Sequence, residues 1–307
     1  METVTMVLSG AIHSSRGRTS DRRSSCLLPY RARILRRWLA TLLVCLGGMS
    51  GLLPSTARAQ TLEQQSLEQA GFGQRPASGD WNILLGGGVA VAPAYEGANS
   101  DRVRPIPFAL VNYRNELFLG PLGLEWKAID IQGFQAGPVI GLLGGRSQRV
   151  SPRLEGLGNI PTSVSGGVFA TYHAGPFQFA TTFRQSIAHP DNGWLGLVQF
   201  DYRTVIVPRK LQLAVGPEVE LASGQYNKAW FGVSGVQSLD SGLPVFTPGA
   251  GVKDYGVHGD LTYVWTEQVL LRAFVDVKEI GGDLTDSPIV QRSTETIIGV
   301  GAAYHFK

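Results

Sequence analysis

Charged side chains recur at alternate positions between residues 184 and 278, where they could bind an ion, line a pore or pair with one another. The stretch LQLAVGPEVEL (211–221) places Glu218 and Glu220 on one face and apolar residues on the other. Because both signs of charge occur on neighbouring segments, we expect these side chains to pair across a shared interior. The ten candidate interior charges are Arg184, Asp201, Arg203, Glu218, Glu220, His258, Asp260, Arg272, Asp276 and Lys278.

Other patterns that could indicate catalysis have little support. The glycine-rich stretch LGGGVAVAPAYEG (85–97) is not followed by a helical pattern, which a phosphate-binding loop requires. His173, His189, His258 and His305 lack metal-ligand spacing, and no G-x-S-x-G motif occurs. A Ser–His pair of a membrane acyl hydrolase at His189 stays open as a minor alternative. We therefore predict no enzyme activity, no metal and no cofactor.

The elements that position these charges begin after an N-terminal leader. Residues 1–37 hold eight Arg and no Lys, and the apolar run WLATLLVCLGGMSGLLP follows at 38–54. A small-x-small site at Ala57 and Ala59 completes the order of a secretory signal peptide, cleaved before Gln60. A membrane anchor is the weaker alternative, since about 17 apolar residues are short for a span.

Removal of residues 1–59 changes the charge of the protein. Nine of the 27 Lys and Arg and two of the 24 Asp and Glu lie there, which leaves 18 basic and 22 acidic residues, a net charge of −4. The basic character belongs to the leader, so we predict no nucleic-acid partner. Cys26 and Cys45 also lie in the leader, which excludes disulfides from the mature chain. Residues 1 to about 30 are long for a signal peptide and could be a mis-assigned start.

A period of two dominates from Asp80 onward and predicts twelve strands. Several exceed the usual length of about 5–6 residues and reach the about 9–11 that cross a bilayer when tilted. Residues 60–79 lack this period, and we predict a periplasmic tail there before a barrel at 80–307. The predicted segments are 80–93, 101–113, 115–120, 123–131, 134–146, 162–174, 177–188, 193–207, 210–223, 250–266, 268–280 and 295–307.

Long and short connections alternate between these segments. The connections at 147–163, 224–249 and 281–293 are long, whereas those near Arg114 and Gly175 are brief. This asymmetry predicts an all-β, transmembrane, antiparallel up-and-down β-barrel of about 12 strands, with long extracellular loops and short periplasmic turns. A soluble β-sandwich or a small ligand-binding barrel is the alternative. Within a membrane barrel, the interior charges fit either a salt-bridged filling or the lining of a narrow pore.

Four stretches resemble the MipA/OmpV family of outer-membrane proteins. They are PAYEGANSDRVRPIPF (93–108), GRSQRVSPRLEGLGNI (145–160), YNKAWFGVSGVQSLDSGLPVFTPGAGVKDYGV (226–257) and DSPIVQRSTETIIGVGAAYHF (286–306). The resemblance runs from about Asp80 to the end, and the chain departs from the usual barrel ending because Lys307 follows Phe306.

The resemblance implies a cell outer membrane location in a Gram-negative bacterium. It also implies a non-enzymatic scaffold that joins a lytic transglycosylase to a peptidoglycan synthase. A narrow diffusion channel and an OmpV-like surface adhesin or stress-response protein are the alternatives. The expected surroundings are outer-membrane lipid, lipopolysaccharide and the barrel-assembly machinery. Because murein enzymes work in the periplasm, we expect them to dock on the tail at 60–79 and on the rim of short turns.

The longest irregular stretch is predicted to be the largest outer loop. QYNKAWFGVSGVQSLDSGLPVFTPGAG (225–251) holds aromatic residues without a helical or strand period. Large apolar side chains in a loop must be buried somewhere, so we expect a short element that caps the barrel mouth. A surface-recognition role is the alternative. The cluster consists of Tyr226, Trp230, Phe231 and Val233.

Overall fold

The structure, a computed structural model, describes residues 80–120 and 122–306 of the 307-residue chain. The predicted signal peptide with its cleavage site, the tail at 60–79 and the terminal Lys307 lie outside the described residues. Within those residues, the backbone forms thirteen strands, two α-helices and four short 3-10 helices.

The strands are β1 (Trp81–Pro93), β2 (Asp101–Tyr113), β3 (Leu117–Gly120), β4 (Gly123–Trp126), β5 (Ile129–Ile131), β6 (Phe134–Leu143), β7 (Ser163–Ala174), β8 (Phe177–Ser186), β9 (Trp194–Val207), β10 (Leu211–Ala222), β11 (Gly251–Val264), β12 (Val269–Ile280) and β13 (Thr294–Phe306). The helices are α1 (Gly224–Phe231) and α2 (Gly235–Ser241). The 3-10 helices are Gln148–Val150, Pro152–Leu154, Pro190–Asn192 and Gly282–Asp286.

All thirteen strands belong to one antiparallel sheet that closes on itself. β1 pairs with both β2 and β13, so the first and last strands join. β4 and β5 both pair with β6 and are separated only by Lys127 and Ala128, so they share one position in the barrel. The ring therefore has twelve strand positions, which confirms the predicted fold class, although the segment predicted at 123–131 is interrupted.

The contact between β4 and β6 depends on a glycine. Gly123 has a φ of +119°, and a Cβ there would lie 2.1 Å from the carbonyl oxygen of Ile140. Side chains rarely adopt this φ, and the carbonyl leaves no room for one. Glycine at this position therefore lets the two strands approach and close the ring.

The two ends of the barrel differ in their connections. Tight turns occupy one end. For example, Gln132 and Gly133 have φ values of 49° and 84° in a two-residue hairpin turn of the primed type. The other end carries the long loops at 94–100, 144–162, 187–193, 223–250 and 281–293. By the general rule for outer-membrane barrels, the long loops are extracellular and the short turns are periplasmic.

The outer face of the barrel is apolar through its middle and aromatic near its ends. Exposed valines on this face include Val215 and Val257. At the turn end, the rings of Trp81 and Tyr113 have centroids 4.5 Å apart. An apolar band bordered by aromatic residues is the lipid-facing surface of a transmembrane barrel. Among the described helices, none has the length and apolar character that a membrane span needs.

Candidate functional site

The structure buries all ten candidate interior charges inside the barrel. They come from five consecutive strands, β8 to β12, on which every second side chain points inward. We call these ten residues the lumen network.

His258 lies at the centre of the lumen network. Its Nε2 is 2.6 Å from Oδ1 of Asp201, and its Nδ1 is 3.5 Å from Oε2 of Glu218. The other carboxylate oxygen of Asp201 accepts a hydrogen bond of 3.1 Å from Nη2 of Arg203. The imidazole therefore joins β11 to carboxylates on β9 and β10.

Glu218 also holds a lysine from β12. Its carboxylate forms an ion pair with Nζ of Lys278 and accepts a 2.8 Å hydrogen bond from Gln199. Lys278 lies 3.4 Å from Asp276 as well. A buried charge without a partner is strongly destabilising, and each of these three charges has a partner of opposite sign.

A second pair lies nearer the turn end. Arg272 forms an ion pair with Asp260, which also accepts a 3.1 Å hydrogen bond from the hydroxyl of Thr262. The guanidinium of Arg272 lies 5.6 Å from the ring centroid of Phe274. The structure thus brings eight of the ten predicted charges into short-range pairs among themselves.

The other two predicted charges behave differently. Glu220 pairs outside the predicted set, with a lysine described below. Arg184 is only 7% exposed, yet its Nη1 has no hydrogen-bond partner among the described residues. It interacts with Glu220 and Glu125 through longer-range electrostatics.

The predicted set also omits several buried charges that the alternation places inward: Arg104, Glu125, Lys127, Asp254 and Glu295. Lys253 is different, because the alternation places it outward. Alternation with His258 and Asp260 predicts that Lys253 faces lipid. A β-bulge shifts the register opposite Glu220 and Leu221, so Lys253 turns inward beside Asp254. A charged residue on a lipid-facing position costs about 2–4 kcal/mol at the bilayer midplane. A lysine that the alternation points toward lipid is therefore the feature of the sequence that could have indicated a bulge.

Lys253 connects the lumen to the outer mouth. Its ammonium group lies 2.6 Å from Glu220, 3.4 Å from Asp254 and 3.3 Å from Glu96 in the first outer loop. It also lies 5.2 Å from the ring centroid of Tyr226 in α1. One buried cation therefore contacts the barrel wall, a loop and the capping helix.

α1 packs in the extracellular mouth of the barrel, against the outer ends of β6, β9, β10 and β12. Ser223 caps the helix, and its hydroxyl accepts hydrogen bonds from the amides of Tyr226 and Trp194 at 3.1 and 3.0 Å. The rings of Tyr226 and Trp230 stack at 5.5 Å. Tyr226, Trp230 and Phe231 pack against apolar side chains of the wall and the outer loops: Leu143, Ile160, Leu195, Ala222, Ile280 and Leu284.

Polar contacts fix α1 in the mouth. Arg146 donates to the carbonyl oxygen of Trp230, and Ser287 donates a 2.6 Å hydrogen bond to that of Phe231. Burial lowers the pKa of Arg146 to about 10, although the charge of Glu96 opposes this shift. Arg146 therefore keeps its charge at neutral pH while it is enclosed by the outer loops.

Val233 does not pack with the three aromatic residues. It lies in a second apolar cluster, which consists of Ala94, Tyr95, Ala98, Leu154, Leu157, Val233, Leu243 and Ile289. Val233 and Phe246 form an antiparallel bridge at the base of α2. The four residues predicted as one cluster therefore divide between two apolar clusters on the extracellular side.

The alternative of a Ser–His pair gains no support from the geometry at His189. The hydroxyls of Ser163 and Ser186 lie 2.6 Å apart, but both contact His189 through its backbone. His305 lies against Asn82, with Nε2 2.7 Å from Oδ1. Within the described residues, no group of three or more potential ligands could hold a metal ion.

The fold and the site together define the class of protein. A closed antiparallel barrel with an apolar outer face, a polar interior and long loops at one end is a transmembrane β-barrel of the bacterial outer membrane.

Comparison with known proteins identifies the family. Residues 85–306 match the family described as MltA-interacting protein MipA, and the chain belongs to this family. This result confirms the resemblance seen in the four sequence stretches. No curated protein matches the sequence.

Several solved barrels match the chain at low identity and low TM-score. The KdgM porin is 12% identical, over 74% of this chain and 99% of that chain, with a TM-score of 0.37. The translocator domain of autotransporter NalP from Neisseria meningitidis is 10% identical, over 82% and 97%, with a TM-score of 0.36. The NanC porin is 9% identical, over 73% and 98%, with a TM-score of 0.34.

Proposed function

We propose that this protein is a non-enzymatic outer-membrane scaffold that holds a lytic transglycosylase and a peptidoglycan synthase at the periplasmic face. The family description, MltA-interacting protein MipA, refers to a protein that interacts with MltA, a lytic transglycosylase. The chain is exported by the signal peptide at 1–59, and its mature N-terminus is Gln60.

The covered outer mouth is the observation that most supports an anchor rather than a conduit. α1 buries Tyr226, Trp230 and Phe231 against the wall, and the charges below it pair with one another. Charged groups that pair with one another inside a barrel make it more rigid. They are also not available to bind a ligand. A stiff, capped barrel is suited to present its periplasmic end to partners.

The tail at 60–79 is the proposed docking segment. β1 begins at Trp81 at the turn end, where the amide of Arg114 donates a 2.8 Å hydrogen bond to the carbonyl oxygen of Asp80. The chain therefore enters the barrel from the periplasmic side, beside the rim of short turns. A partner that binds the tail would also contact this rim.

A pull-down from a cell-envelope extract tests the scaffold. The bait is folded full-length barrel, compared with a chain that lacks 60–79 and with one in which 60–79 is replaced by a Gly-Ser segment of equal length. Recovery of murein synthases or transglycosylases by the intact chain alone would support docking on the tail. Equal recovery by all three baits would reject the tail as the docking segment, and no periplasmic recovery by any bait would reject the scaffold.

A surface-binding role is the second candidate, because α2 exposes apolar side chains on the extracellular side. Val236 is 70% exposed and Leu239 is 87% exposed. Replacement of 235–244 by a short Gly-Ser linker should abolish binding of the protein to host or bacterial surfaces if α2 is an adhesive element. Unchanged surface binding by that variant would remove this candidate.

A narrow channel is the third candidate. It has less support, because α1 occupies the extracellular mouth through which solutes would have to pass. Planar-bilayer recordings should show little conductance for the intact protein. A channel lined by the lumen network would instead change its conductance and ion selectivity in the charge-reversed variants Arg272→Glu and Asp276→Lys.

A further inference from the structure

The barrel wall is incomplete in its outer half, next to β2. β2 has 13 residues, whereas β3 has 4 and pairs with β2 only at residues 111–113. Among the described residues, no strand pairs with residues 103–109 of β2 on that side, and no backbone hydrogen bond reaches them from it. At about 3.3 Å per residue, about 20 Å of β2 is therefore an open edge.

This opening has a border on every side. The tip of the β3–β4 hairpin lies below it, where Gly123 packs against β6. β3 and β4 separate β2 from β6 at the tip, so the opening is about 14 Å wide there, at about 4.8 Å per strand spacing. Above it, Arg102 donates to the carbonyl oxygen of Val150 and so joins β2 to the loop at 144–162, which follows β6. We call this opening, along residues 103–109, the lateral window.

Two prolines fit β2 to an edge that has no partner strand. The amide of Arg114 donates to the carbonyl oxygen of Asp80, so the even-numbered residues of β2 point their amides toward β1. In an antiparallel strand, alternate residues form their hydrogen bonds on opposite sides, so the odd-numbered residues face the window. Pro105 and Pro107 are odd-numbered and have no amide hydrogen. The middle of this edge therefore leaves no donor unpaired, and a strand from another chain would lack its usual donors there.

The lateral window is apolar, unlike the lumen network. Residues 105–113 of β2 and all residues of β6 are uncharged. The inward-facing side chains of Ile106, in the middle of the window edge, and Leu122, at the hairpin tip, are apolar and buried. Arg104, near the upper end, is held by carbonyl oxygens at the outer end of β1. The ten charges of the lumen network come from β8 to β12, on other parts of the ring.

The lateral window opens toward the acyl chains of the membrane. Val103 on β2 and its neighbours Val89 and Val91 on β1 are exposed on the outer face at the height of the window. Ile140 of β6 is exposed on the same face. An apolar outer face lies in the hydrocarbon region, so hydrocarbon is the medium outside the window. Unpaired amides are costly at this depth, which is a physical reason for prolines at the edge.

We propose that the lateral window binds a hydrocarbon chain of an outer-leaflet lipid, which enters between β2 and β6 and packs against Ile106. The carbonyl oxygens that remain on the β2 edge are tolerated without partners more readily than amides are. α1 occupies the mouth above, so a chain reaches this part of the barrel from the side. The inference goes beyond the scaffold role, since the window lies in the outer half of the wall, away from the tail and the short turns.

Reactivity of single cysteines in liposomes tests the lateral window. The test variant is Ile106→Cys. The matched control is Leu195→Cys, at a similarly buried, inward-facing position between the fully paired β8 and β10. Val257→Cys, on the lipid-facing surface, is the positive control. One reagent is a maleimide with a dodecyl chain, which dissolves in the membrane, and the other is a sulfonated maleimide, which stays in water. Heat-modifiable mobility on an SDS gel confirms folding, and Leu122→Cys is the second test position if Ile106→Cys does not fold.

We expect Ile106→Cys to react with the dodecyl maleimide at least about tenfold faster than Leu195→Cys, because Leu195→Cys can react only when the wall opens locally. The sulfonated maleimide should react slowly with both. Equal rates of the two variants with the dodecyl reagent would overturn the proposal, since the wall beside β2 would then be as closed as the rest. Faster reaction of Ile106→Cys with the sulfonated reagent than with the dodecyl reagent would also overturn it, because the window would then hold water.

Discussion

Lys253 is the residue through which the lumen and the extracellular cap contact each other. It is 1% exposed and lies within 3.4 Å of three carboxylates, those of Glu96, Glu220 and Asp254. A buried charge that loses its partner cannot recover hydration, so removal of one member of such a group costs more than the pair contributes. Lys253 thus matters both to the lumen and to the placement of α1.

We expect Lys253→Met to lower the free energy of unfolding by about 3–5 kcal/mol, because it leaves buried carboxylates without their cation. The measurement is the midpoint of thermal unfolding, followed by the loss of heat-modifiable mobility. Lys228→Met, at an exposed position in α1, should change stability by no more than about 0.5 kcal/mol. Addition of Glu220→Gln to Lys253→Met should restore part of the loss. A midpoint equal to that of the wild type would contradict the assigned role of Lys253.

At the scale of the element, the residue that caps α1, Ser223, also forms a hydrogen bond with the barrel wall. The hydroxyl of Ser223 accepts from the amides of Tyr226 and Trp194, so it joins the helix to β9. Gly193 has a φ of +67°, and a Cβ there would lie 2.0 Å from this hydroxyl. This packing leaves no room for a side chain at Gly193.

Ser223→Ala should loosen α1, since it leaves two amide groups without their acceptor at a cost of about 1–2 kcal/mol. Lys228 is exposed within α1. The rate at which trypsin cleaves the chain after Lys228 therefore measures how loosely α1 is held. The rate should increase several-fold in Ser223→Ala. Ser234→Ala, which removes the cap of α2, should leave cleavage at Lys228 unchanged. Equal cleavage rates in the wild type and both variants would show that the cap does not hold α1.

The largest outer loop consists of two parts with different roles. Deletion of 226–248 would remove the aromatic residues that cover Leu143, Leu195 and Ile280, so we expect that variant to unfold at a lower temperature. Replacement of 235–244 alone keeps α1 and the Val233–Phe246 bridge and removes Leu243 from the second apolar cluster, so it should lower the unfolding midpoint by less. Midpoints that fall equally in the two variants would show that α2 is part of the stabilising cap.

For the whole molecule, the orientation of the barrel is open to a direct test. Cys26 and Cys45, the only cysteines of the sequence, both lie in the leader that we propose is removed, so a cysteine introduced in the barrel would be a specific reporter. We expect Leu239→Cys to react with a membrane-impermeant maleimide on intact cells, because Leu239 lies at the long-loop end. Arg209→Cys, in a short turn, should react only after the outer membrane is permeabilised. The reverse pattern would place the long loops in the periplasm.

Much of the fold could be predicted from the sequence, because β-barrels alternate side chains strictly. The alternation places His258 and Asp260 inward and Val257 and Tyr255 outward, as the structure has them. It fails at Lys253, where a bulge reverses the pattern, and in β5, where all three residues of Ile129–Ile131 are exposed after the fourth segment breaks. Bulges and breaks depend on how a strand pairs with its neighbour, and the residues of one strand alone do not determine that pairing.

The sequence by itself determined the barrel, its twelve strand positions, its loop asymmetry and its family, because each of these follows from local period or local motif. Only the tertiary structure decided which charges pair, how α1 enters the mouth, and that Val233 packs apart from Tyr226 and Trp230. The physical reason is that pairing and capping depend on the register between strands and on loop packing across the ring, which involve residues far apart in the chain.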